Sequence, residues 1–137
     1  MRRVTPVILA AAGLLVALDI VGALAQRPLG FPYPSLGVVS LLVYLSVGLY
    51  GSWRANFTVG ALGAVAVGLL DGTLGPLAAW MVGPGPLGQT VTEPGVFAYG
   101  IAVVTATAAA AGGMGALAGS WLERRRAFRS GSSVVPR

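Results

Sequence analysis

The chain contains no cysteine, no histidine and no lysine. Without cysteine there is no disulfide, no thiolate nucleophile and no thiolate metal site. Without histidine the commonest metal and haem ligand and the usual proton shuttle are missing. No Ser–His or Cys–His pair can be assembled for nucleophilic catalysis. Charge is scarce as well. Only 9% of the 137 residues are charged and 55% are hydrophobic, whereas a soluble domain is about 25% charged. Such a chain cannot cover a globular surface with polar groups.

Long apolar runs take the place of these groups. A helix needs about 20 apolar residues to cross a bilayer, and four stretches qualify: Thr5–Ala25, Leu36–Trp53, Phe57–Val82 and Val96–Leu122. None alternates in polarity as a β-barrel strand would. The expected fold class is an all-α membrane protein with four transmembrane helices. It forms a single domain over residues 1–129, followed by a small polar tail at 130–137. The tail's final Val134-Val135-Pro136-Arg137 resembles a thrombin-type cleavage remnant, and no function is attached to it. Gly72, Gly75 and Pro76 give the third span a plausible kink. The Pro- and Gly-rich stretches 27–37 and 83–95 are expected to be non-helical connections.

The arginines set an orientation. Arg2 and Arg3 precede the first span, Arg54 lies between the second and third, and Arg124, Arg125, Arg126 and Arg129 follow the fourth. Four spans put all of these on one side. The positive-inside rule then places both termini in the cytoplasm and the protein in the plasma membrane. The net charge of +5 therefore reads as anchoring at anionic headgroups rather than nucleic-acid binding. One rival is a cleaved leader, because Met1-Arg2-Arg3, an apolar run and Ala23-Leu24-Ala25 form a fair signal-peptide pattern. Asp19 close to that cleavage point argues against it.

An internal duplication argues against it too. Leu18-Asp19 matches Leu70-Asp71, Pro28-Leu29-Gly30 matches Pro86-Leu87-Gly88, and Gly51-Ser52-Trp53 matches Gly119-Ser120-Trp121, at offsets of 52, 58 and 68 residues. The matches keep their order. Hairpins over about 5–53 and 57–122 are thus expected to be parallel repeats, related by a two-fold axis along the membrane normal.

The duplication places two acids in equivalent positions. Asp19 is fourteen residues beyond Thr5 and Asp71 fourteen beyond Phe57, about 21 Å along each helix. An ionised aspartate at a helix centre costs about 2.5–3.5 kcal/mol, so two at one depth need a reason. Three outcomes are physically sensible. Each acid can be neutral and hydrogen-bonded to a neighbouring helix, or the pair can share one proton, or they can line a wet cavity and bind a cation. Ser40, Tyr44, Ser46, Thr73, Thr105 and Thr107 are candidate hydroxyl partners within the spans. Asp19 and Asp71 are the candidate ion, proton or polar-clamp residues, and at least one of them is expected to carry a proton at neutral pH.

Small residues recur on the last two spans. Gly60, Ala64, Gly68 and Gly72 repeat every four residues, as do Ala111, Gly115 and Gly119. Such stripes let helices approach backbone to backbone, within one chain or between chains. The candidate partners are therefore the lipid bilayer, a second copy and a larger membrane complex.

Enzyme chemistry has little support. Intramembrane aspartyl proteases use paired helical aspartates, but their Tyr-Asp and Gly-x-Gly-Asp motifs are absent. The contexts here are Ala-Leu-Asp19-Ile and Leu-Leu-Asp71-Gly. No enzyme activity, cofactor or metal is expected. Two functional readings remain: a small proton- or cation-linked transporter or channel-like bundle, and a non-catalytic accessory or assembly subunit of a larger membrane complex. The direction in which the acids face separates them.

Overall fold

A computed structural model describes residues 4–29, 36–82 and 92–131, with the side chains of 26–29 and 127–131 outside that description. Its long helices are α1 (Thr5–Leu29), α2 (Leu36–Arg54), α3 (Phe57–Val82) and α4 (Pro94–Gly131). Each is long and apolar enough to cross a membrane.

The helix starts follow local chemistry. In α1 the Val4 carbonyl accepts from the amides of Val7 and Ile8, and Pro6 stands in the first turn, where a missing N–H costs nothing. Two residues, Ala55 and Asn56, join α2 to α3. Oδ1 of Asn56 accepts from the Val59 amide at 2.9 Å, an N-cap that satisfies one of the otherwise orphaned donors. Pro94 opens α4, and the Phe97 amide donates to the Glu93 carbonyl at 3.0 Å.

Two helices run further than hydropathy indicates. α1 continues to Leu29, three residues into the stretch read as a non-helical connection, and α4 continues past Leu122 through the arginines to Gly131. Hydropathy marks where apolar character ends, but arginine is a good helix former and elongation of an existing helix is inexpensive. α3 is continuous through Pro76.

α3 is the hub and touches the other three helices. α2 and α4 run parallel, since Gly48 lies against Gly112 and Gly119 against Leu49. Both are antiparallel to α3, where Gly51 meets Gly60 and Gly68 meets Ala108. α1 runs parallel to α3, with Ile8 against Gly63 and Asp19 against Gly75. Arg54, Arg125 and Arg126 therefore gather at one end with the start of α1.

The exterior is apolar. Leu9, Leu62, Met114 and Leu117 are each more than 60% exposed. Such an outside suits lipid, where packing is driven by close van der Waals contact rather than by exclusion of water. The interior accordingly uses small residues, and Ala64, Ala108 and Ala116 are fully buried.

The helix contacts do not reproduce the two-fold relation expected of repeated hairpins. α2 packs on α3, but among the described residues α4 has no contact with α1, and α1 touches α2 only slightly whereas α3 and α4 pack along their length. The reason lies in the facing residues. The second hairpin sets Ala64 against Gly112 and Gly68 against Ala108. The first hairpin sets Val7, Leu14, Leu42 and Val43 along a groove instead.

Candidate functional site, a converging acid pair

Asp71 is the one buried carboxylate among the described residues, with 8% of its surface exposed. α3 turns it inward because Gly68, Gly72 and Gly75 occupy the same side of the helix, and all of them are buried. α2 supplies its partner. Tyr44, the largest fully buried side chain, donates its hydroxyl hydrogen to Oδ2 of Asp71. Ser40, one turn away on α2, lines the same cavity as Tyr44.

α1 supplies the second acid. Oδ2 of Asp19 occupies the space that a side chain on Gly75 would take, and Oδ1 of Asp71 lies 3.7 Å from the same point. The absence of a Cβ at Gly75 makes room for two carboxyl groups to converge. Oδ1 of Asp71 receives no donor from a hydroxyl or amide. The depth relation differs slightly from the repeat. Ile8 faces Gly63 and Asp19 faces Gly75, offsets of 55 and 56 residues rather than the expected 52. Asp19 thus meets Asp71 from about one turn further along.

Beside the pair lies a cavity of about 240 Å³. Asp19, Ser40, Tyr44, Asp71 and Thr107 give it a polar wall, and Leu36, Pro76, Val103 and Val104 an apolar one. Three of the other four candidate hydroxyls are engaged elsewhere. Ser46, Thr73 and Thr107 donate to carbonyls of their own helices at 2.7–2.8 Å, and Oγ1 of Thr105 is buried without a partner. Among the described residues no three His, Cys, Asp or Glu side chains are grouped to hold a metal ion.

The small-residue positions lie in the helix interfaces. Gly60 faces Gly48 and Ser52 of α2, and Ala64 meets Gly112. Gly68 and Gly72 face Ala108 and Ile101 of α4, while Gly115 and Gly119 face Leu45 and Leu49 of α2. Ala111 is buried in the same core. Tyr44 is the residue that sequence reasoning left undistinguished, as one hydroxyl among six. The available signal was size: it is the one aromatic residue in the middle of α2.

Together these features define a small all-α membrane protein with four transmembrane-length helices. No family model, curated protein or solved structure matches the chain.

Proposed function

We propose that the protein moves protons or small cations across the plasma membrane, with Asp19 and Asp71 as the ion-handling pair and Tyr44 as the group that orients Asp71. The observation that carries the reading is the convergence of both carboxyls over Gly75 beside a partly polar cavity. A clamp between two helices needs one hydrogen bond. A second acid directed at the first adds like charge, which disfavours double ionisation. That arrangement is useful where a proton or cation resides between them. Intramembrane acids that face a bundle interior are commonly parts of ion or proton pathways.

The orientation follows from the arginine end of the bundle, which the positive-inside rule assigns to the cytoplasm. The pair then lies in the outer half of the membrane, about 21 Å from the inner helix starts. No enzymatic role is part of this reading. The alternative, an assembly subunit, requires the acids to serve a partner chain, and their inward direction favours transport instead.

The test is ion flux in proteoliposomes carrying an internal pH dye, driven by an imposed potential or pH gradient. The wild type is expected to move protons or cations faster than empty vesicles. Asp71→Asn and Asp19→Asn are expected to fold and to lose that flux. Flux equal in wild type and both variants, or absent from the wild type under all gradients, contradicts the proposal.

A further inference from the structure

We infer that the cavity beside the acid pair binds a partly dehydrated alkali-metal cation, and that Pro76 contributes to the site by freeing the Gly72 carbonyl. This deepens the transport reading and rests on it for what the ion does. The first observation is an oxygen. Asp71 is 8% exposed, and its Oδ1 is buried without a hydroxyl or amide donor. Tyr44 holds the other oxygen, so Oδ1 is the one left for a ligand. It lies near the converging Asp19 carboxyl, and both acids line the cavity. A buried carboxylate oxygen without a partner is costly, and a cation removes that cost.

A second oxygen follows from the proline. In a helix each amide donates to the carbonyl four residues earlier. α3 is helical from Phe57 to Val82 with Pro76 inside it. Proline has no N–H, so the Gly72 carbonyl lacks the donor that a helix normally provides. Gly72 and Pro76 both line the cavity, together with Asp19, Asp71 and Ser40. Within a membrane a freed carbonyl needs another partner. A cation in this cavity is such a partner.

The oxygen set selects the class of ion. Two carboxyls, one carbonyl and the Ser40 hydroxyl come from α1, α2 and α3. Tyr44 occupies Oδ2, so Asp71 does not offer both oxygens. Calcium takes about 6–8 oxygens, often with a bidentate carboxylate, and magnesium keeps several waters. No third acid joins the pair among the described residues. Charge agrees with this. With one proton held by the pair, one negative charge remains, which a monovalent ion cancels and a divalent ion exceeds. The cavity of about 240 Å³ has room for the ion and part of its hydration shell, since a water occupies about 30 Å³.

The experiment follows thermal unfolding of the full chain in detergent as sodium chloride or potassium chloride replaces choline chloride at constant ionic strength. A ligand that binds only the folded state raises the unfolding temperature. At least one of the two alkali ions is expected to do so saturably, and calcium chloride is not. Pro76→Ala restores the N–H that occupies the Gly72 carbonyl, and alanine favours helix. It is expected to hold or raise the unfolding temperature in choline, yet to raise the alkali-ion midpoint by about tenfold, as for loss of one charge-assisted contact. A proline with only a structural role would not separate those two readouts. Ser40→Ala, on another helix, is expected to raise the midpoint too and replaces Pro76→Ala if that variant does not fold. Asp71→Asn is expected to remove the response. Gly113→Ala, whose Cβ would meet nothing within 4 Å, is expected to retain it. The proposal is overturned if choline stabilises as well as both alkali ions, if calcium matches them, or if Pro76→Ala, or Ser40→Ala in its place, keeps the wild-type midpoint. Proton flux without alkali-ion binding overturns it and leaves the transport reading standing. Binding without flux supports it and contradicts the transport reading.

Discussion

Tyr44 on α2 donates its hydroxyl hydrogen to Asp71 on α3, joining the two helices at the buried centre of the bundle. The bond determines which oxygen of Asp71 is held and which is left to face Asp19. Tyr44→Phe removes the donor and leaves Oδ2 buried and unpaired. Interhelical hydrogen bonds in membranes average about 0.6 kcal/mol and reach about 1.7. A double-mutant cycle of Tyr44→Phe with Asp71→Ala, followed by thermal unfolding in detergent, is expected to give a coupling of that size. Additive effects would show that the bond contributes no stability.

Gly75 is the second structural requirement of the pair. An alanine there places Cβ where Oδ2 of Asp19 now sits. The Asp19 side chain can rotate away, so the fold survives but the two carboxyls separate. Gly75→Ala is expected to reduce ion flux as strongly as Asp19→Asn does, although both acids remain. Unchanged flux would show that their convergence is incidental.

Close helix approach makes a prediction without reference to function. A Cβ on Gly112 would land on Cβ of Ala64, whereas a Cβ on the adjacent Gly113 would meet nothing within 4 Å. Overpacking a close interface costs about 1–3 kcal/mol, so Gly112→Ala is expected to lower the unfolding temperature. Gly113→Ala is expected to hold or raise it slightly, since alanine favours helix over glycine. Equal effects at the two positions would mean that α3 and α4 do not pack at this register.

The elements legible in the sequence were those written in hydropathy. Four spans, one end of the bundle marked by Arg54 and Arg124–Arg126, and the short link at Ala55-Asn56 all follow from composition along the chain. Asp19 and Asp71 stood out because an acid in an apolar run is costly wherever it points. The rest needed three dimensions. Tyr44 could not be separated from Ser40 or Thr107, because choosing a partner requires the rotation of α2 about its axis. The one-turn shift that sets Asp19 over Gly75 was hidden because the short repeat matches carry no information about helix register. The unequal packing of α1 and α4 was hidden too, because similar spans can dock differently when one pair has facing glycines and the other has valine and leucine.

Orientation can be checked chemically. Cysteine introduced at Tyr33 or Gln89 is expected to react with an impermeant thiol reagent in intact cells, and cysteine at Ser133 is not. Labelling at Ser133 alone would reverse the assignment of the arginine end to the cytoplasm.

The central claim is that Asp19 and Asp71 act as one unit that holds a proton between them. Infrared difference spectroscopy of the reconstituted protein across a pH titration tests it most directly, because protonated and ionised carboxyls absorb in separate regions. The account predicts one protonated-carboxyl signal that titrates in the wild type and is lost or shifted in Asp19→Asn, in Asp71→Asn and in Gly75→Ala. A carboxyl signal that is the same in the wild type and in all three variants would contradict it.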